Sequence, residues 1–125
     1  MVKSLTAICI CVFLLTGLGI FEWAFVQNEF SSFEAELNTL YDKAEREEAG
    51  IEDAKAVRVS WEERKSRLHV WIPHNDISRV DDYLSEVVKL VGEKEFALAL
   101  GKLEVLRNLC TTVPGTYSPL LENVL

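Results

Sequence analysis

Two histidines, an asparagine and an aspartate fall within the short stretch Leu68-His69-Val70-Trp71-Ile72-Pro73-His74-Asn75-Asp76. Imidazoles and a carboxylate so close together are the groups that hold a metal ion or move protons. Their spacing argues against that use. His69 falls at the end of a helical pattern and His74 lies beyond Pro73, so nothing obliges the two rings to converge. No third or fourth ligand stands at helical spacing from either. Asn75 and Asp76 suit the N-cap of a following helix, where short polar side chains accept from exposed amides. Asp76, Asp81 and Asp82 also favour the positive end of that helix. The stretch therefore reads as a corner between helices, with His74, Asn75 and Asp76 offered to a protein partner. The alternative is a metal- or anion-responsive sensor or enzyme built on His69, His74 and Asp76.

Trp61 precedes this region and Trp71 lies within it. Each is either core or, if exposed, the natural anchor of a protein contact. Arg58, Arg64, Lys65 and Arg67 could clamp an anion, but an acidic helix earlier in the chain gives them a closer use. Asp81, Asp82 and Glu86 read as a solvated helix face. Paired carboxylates can run glycosidase chemistry, but only across a cleft that no pattern here implies. Cys110 stands alone outside the N-terminal region and reads as a small buried hydrophobe. No cofactor or metal is expected.

The elements that carry these residues are helical. Trp23, Val26, Phe30, Phe33, Leu37, Leu40 and Ala44 recur at spacings of three and four, a seam for packing along one helix. Gly50 is expected to end it in a left-handed cap. A second helix is expected from Glu52 to His69, with Ala54, Val57, Trp61 and Leu68 inward and Pro73 stopping it. A third runs from Asp76 to Val91 on Ile77, Val80, Leu84, Val87, Val88 and Val91, with Gly92 as its cap. The short Gly92-Glu93-Lys94 turn forces a fourth, antiparallel helix buried through Phe96, Ala99, Leu100, Leu103, Leu106 and Cys110. Pro114-Gly115 is expected to end it, before a last apolar turn at Leu120 to Leu125. The hairpin from Gly92 to Glu104 is similar to a tetratricopeptide unit, but there is room for one such hairpin and arrays need about three.

The first helix begins in an apolar run, Leu5 to Phe21, that resumes after Glu22 as Trp23-Ala24-Phe25-Val26. Leu5 to Val26 spans roughly 33 Å as a helix, enough to cross a bilayer. Gly17-Leu18-Gly19 offers small residues for cleavage, but the run continues past them. Cys9 has the wrong lead-in for a lipoprotein signal. An uncleaved signal anchor fits best, with cleavage as the alternative. Lys3 precedes the run, and Glu22, Glu29, Glu34 and Glu36 follow it with no basic residue before Lys43. Positive charge stays inside, so the N-terminus is expected in the cytoplasm and the rest outside. Trp23 suits the outer aromatic belt, and Ala7 with Cys11 offers a small helix-contact face.

The chain has 13 basic and 20 acidic residues. Lys3 is the sole basic residue before the run, so 12 basic residues face all 20 acidic ones beyond it, a net charge of −8. Such a domain is repelled by anionic lipid headgroups and by nucleic acid alike, and nucleic acid is not an expected partner. The acidic first helix, with Glu34, Glu36, Asp42, Glu45 and Glu47, complements the basic second one. Exposed pairs of this kind contribute only about 0–1 kcal/mol each, so they select a partner helix more than they stabilise it.

Leu40-Tyr41-Asp42-Lys43, Trp61-Glu62-Glu63, Ile72-Pro73-His74-Asn75-Asp76, Ala99-Leu100-Gly101-Lys102-Leu103-Glu104-Val105-Leu106, Thr116-Tyr117 and Leu121-Glu122-Asn123-Val124 follow one another in order. With the N-terminal anchor, this order resembles an uncharacterised family of short, membrane-anchored proteins of Gram-positive, often spore-forming bacteria. The resemblance covers nearly the whole chain. It brings no activity, cofactor or catalytic residue, and it implies an envelope setting beside a small multi-pass membrane protein.

The expected architecture is all-α: an N-terminal transmembrane helix continuing into an antiparallel bundle of about four helices. Residues 1–4 form a cytoplasmic stub, 5–26 the signal anchor, 27–113 an extracytoplasmic bundle and 114–125 a tail. The expected function is non-catalytic: binding or stabilising another membrane or envelope protein through Trp61, Trp71, His74, Asn75 and Asp76. Self-association through the long 3.5-period helix is a further possibility.

Overall fold

The computed structural model describes residues 2–116 and contains four helices: α1 (Val2–Glu45), α2 (Ile51–Leu68), α3 (His74–Gly92) and α4 (Phe96–Thr116). No strand occurs among the described residues. Short connections force each helix to run antiparallel to the one before it. Side-chain pairs show the alternation: Lys43 meets Asp53, Glu29 meets Arg67, Lys65 meets Asp81 and Glu86 meets Lys102. α1 packs on α2 and α4, and α3 closes the square against the same two.

α1 is one continuous helix of 44 residues. An 18-residue window within it has a mean hydropathy of 2.3 and none of it is buried. The helix is therefore long and apolar enough to cross a membrane, and the bundle gathers only around its second half. There the seam Val26, Phe30, Phe33, Leu37, Leu40 and Ala44 is buried, while Trp23 stays 41% exposed. α2 and α4 of the same chain fill this seam.

The other expected core positions are also inside, except Phe96 and Leu100 of α4, which are only half-buried against the core. Ala54, Val57, Trp61 and Leu68 of α2, the six apolar positions of α3, and Ala99, Leu103, Leu106 and Cys110 of α4 are buried. Burying each large aliphatic side chain contributes about 1.5–3 kcal/mol before entropy is counted. Gly101 points outward, with no atom within 4 Å of where a Cβ would stand, so it leaves the α3–α4 packing intact.

The helix ends differ from the glycine-capped ends expected. Neither Gly50 nor Gly92 takes the left-handed conformation; Glu47 (φ 58°) and Lys94 (φ 59°) do. The amide of Glu48 donates to the carbonyl of Lys43 at 2.8 Å, and that of Glu95 to Leu90 at 2.8 Å, closing paired Schellman ends. Gly50 is extended instead and precedes α2; its amide donates to Asp53 Oδ2 at 2.9 Å. Gly92 is the last residue of α3, and a Cβ there would come within 2.9 Å of Ile51 Cδ1. A side chain at this position would therefore displace the tip of Ile51 at the start of α2.

Two further boundaries shift. α3 begins at His74, with Pro73 in the capping position and no side-chain cap, so Asn75 and Asp76 lie inside the first turn. Asp76 still favours the positive end of the helix. α4 continues through Pro114 to Thr116. A proline in a final turn removes a single amide, and neighbouring Val113 and Pro114 are buried. The expected apolar turn at Leu120 to Leu125 lies outside the described residues.

Candidate functional site

The α2–α3 corner is tight because its backbone keeps bonding through it. The amides of Trp71 and Ile72 both donate to the carbonyl of Leu68, at 2.9 and 3.0 Å. Ile72 is buried beneath, while Val70 and Trp71 project, 68% and 38% exposed. His74 and Asn75 are exposed, and Asp76 is half-buried.

His69 and His74 do come to one place. They line an open groove of about 370 Å³ with Glu62, Lys65, Ser66, Ile77 and Asp81. Asp76 does not line it. His69 Nδ1 lies 2.7 Å from the carbonyl of Ser66, and His74 Nε2 lies 3.3 Å from Ser78 Oγ. Among the described residues, no three histidine, cysteine, aspartate or glutamate side chains gather as a ligand set. Lys65 occupies the groove instead, its Nζ 2.9 Å from Glu62 and 3.3 Å from Asp81. The hydrogen bond that Lys65 donates to the Glu62 carboxylate leads the effects that raise the lysine pKa above the ordinary 10.5.

Trp61 is not at the surface. It is fully buried, its ring 5.0 Å from Phe33 and 6.2 Å from Phe30 by centroids. Its Nε1 donates to Asp81 Oδ1 at 2.7 Å. The expectation that Trp61 contacts a partner is corrected: a small bundle uses its largest side chain to fill the space between α1 and α2. Asp81 likewise leaves the solvated face expected for it and turns inward to the indole. Asp82 remains exposed, and Glu86 pairs with Lys102 at 3.3 Å.

Two members of the basic cluster of α2, Arg64 and Arg67, complement α1, whereas Lys65 turns to Glu62 and to Asp81 of α3. Glu29, 9% exposed, receives Arg64 Nη1 at 2.9 Å, Arg67 Nη2 at 3.1 Å and Arg67 Nε at 3.3 Å. Arg64 Nη2 reaches Glu36 at 3.4 Å, and Ser60 donates to the same carboxylate at 2.7 Å. Burial pushes the Glu29 carboxyl up, but the hydrogen bonds and charges of Arg67 and Arg64 overcome it and hold the pKa below 4.5. These guanidiniums are committed to α1 and do not form an anion clamp. Glu29 was not singled out in the sequence; an acid one turn from apolar Val26 and one step off the seam was its only signal.

Cys110 is buried, and desolvation, aided by Glu34, pushes its thiol up to about 12. That is the behaviour of a packing residue and not of a nucleophile.

The fold and corner together define a small all-α bundle, antiparallel and carried on a long apolar N-terminal helix. The chain belongs to the DUF4363 family, a domain of unknown function, which matches it over residues 21–124. The match spans the bundle and leaves most of the apolar run outside. No curated protein and no solved structure matches the chain.

Proposed function

We propose that this chain is a non-catalytic, membrane-anchored module of a Gram-positive cell envelope that binds or stabilises another membrane protein. The first half of α1 is the anchor, with Lys3 and the N-terminus in the cytoplasm and the bundle outside. One observation carries the reading. The uncovered corner stands at the end of the bundle from which the apolar half of α1 emerges, where a partner embedded in the same bilayer would meet it.

His74, Asn75 and Asp76 are the contact residues, beside the groove, and Trp71 borders them on the bilayer side. A tether confines both proteins to two dimensions and raises their effective concentration, so a modest interface suffices. A multi-pass protein is the partner that the family resemblance favours. The competing sensor reading is weakened by Lys65, which a cation entering the groove must displace, and by the engagement of Arg64 and Arg67 with Glu29.

The test is in-cell crosslinking of the full-length protein, followed by solubilisation, capture and mass spectrometry. The control is the bundle without its anchor. A dominant membrane-protein partner that is reduced by a His74→Ala/Asn75→Ala variant supports the proposal. Recovery at control level overturns it.

A further inference from the structure

Two features place the α2–α3 corner at a particular height along α1. Arg67 pairs with Glu29, and the helical turn then continues to Ile72. Four more residues carry the chain about 6 Å further, level with Phe25. That lies just past the apolar run, within the segment Trp23-Ala24-Phe25-Val26 that resumes after Glu22. On the opposite side, Gln27 Nε2 donates to the Pro114 carbonyl at 3.2 Å, so the end of α4 descends to the same height.

The two ends of the bundle differ in charge. The far connections carry Glu45, Arg46, Glu47, Glu48, Glu52 and Asp53, then Glu93, Lys94 and Glu95. The near segments, Leu68 to Asn75 and Asn108 to Thr116, contain no aspartate, glutamate, lysine or arginine. In a domain of net charge −8, that asymmetry is what approach to lipid requires. Glu22 marks the first carboxylate beyond the run, and Phe25 stands about 4.5 Å further out, within the roughly 5–8 Å headgroup layer.

We infer that Val70 and Trp71 form a second membrane contact, seated in the lipid headgroup layer at the height of Phe25, about 3 Å beyond Trp23. Tryptophan and an adjoining aliphatic residue are the side chains that partition there. The corner and the anchor then hold the bundle at two points. Its tilt is fixed, and His74 and Asn75 are turned along the membrane surface. This rests on the anchor in the function proposed above, but not on the partner.

The full-length protein, reconstituted in phosphatidylcholine vesicles brominated near the top of the acyl chain, gives the test. Subtracting the emission of Trp71→Phe from that of the unaltered protein isolates Trp71; Trp23→Phe isolates Trp23. Brominated lipid is expected to remove most of both components, while acrylamide in the water quenches Trp71 weakly. Trp23 quenched by lipid with Trp71 quenched by acrylamide alone would overturn the second contact, leave the anchor standing and return the corner to a protein partner. Neither component quenched by lipid would overturn the anchor and the contact together.

Discussion

Trp61 on α2 and Asp81 on α3 are joined by a 2.7 Å hydrogen bond from the indole nitrogen to the carboxylate. The indole is otherwise enclosed by Phe30 and Phe33 of α1. One residue thus fastens three helices, and its polar atom is satisfied by an acid that also receives Lys65.

Removing either side should be costly. Trp61→Ala is expected to lose about 3–5 kcal/mol through its cavity. Asp81→Ala strands a buried donor and is expected to lose about 1–3 kcal/mol. Trp71→Ala, at a position 38% exposed, should cost less than Trp61→Ala and leave helicity intact. Denaturant unfolding followed by circular dichroism ranks the three.

Glu29 makes stability depend on pH. Its folded pKa lies below the ordinary 4.5, so the unfolded chain takes up the proton first on acidification. The stabilisation is complete above the ordinary value and is lost as pH falls through the lowered one. Asp53 acts in the same sense, held below 3.8 by the Gly50 amide and then by Lys43. Unfolding free energy should therefore fall from about pH 5 downward, and Glu29→Gln should flatten that slope. An equal slope in the variant would remove Glu29 from the account. At neutral pH, Glu29→Ala leaves Arg64 partly buried without its main acceptor and is expected to lose about 3 kcal/mol.

Gly101→Ala should stabilise the bundle. The position is helical, exposed and clear of neighbours, so the gain is the helix-propensity difference of about 0.5–1 kcal/mol. A rise in melting temperature checks it.

Cys110 should resist thiol reagents in the folded state. In a variant with Cys9 and Cys11 replaced by alanine, maleimide labelling is expected only after denaturation. Rapid labelling of the native protein would contradict the burial of the thiol.

The helices were legible because their apolar positions repeat with helical spacing, and the seam from Val26 to Ala44 needed no knowledge of its neighbours. What escaped depends on pairing across helices. Glu29 and Asp81 look like surface acids until α2 brings Arg64 and Trp61 against them. The left-handed residues were misassigned because Gly50 and Gly92 have the freedom such turns use, whereas Glu47 and Lys94 accept that conformation within Schellman ends. Pro114 stops a helix in its middle but not in its final turn. The two histidines share a groove because the corner at Leu68 is tighter than Pro73 alone implies.

The most direct test of the central claim is site-specific photocrosslinking in intact cells. A photoreactive phenylalanine analogue would replace His74 at the corner or Leu98 on exposed α4. The account predicts a crosslink from position 74 to one integral membrane protein, and none from position 98. No protein crosslink from position 74, or the same product from both positions, would contradict it.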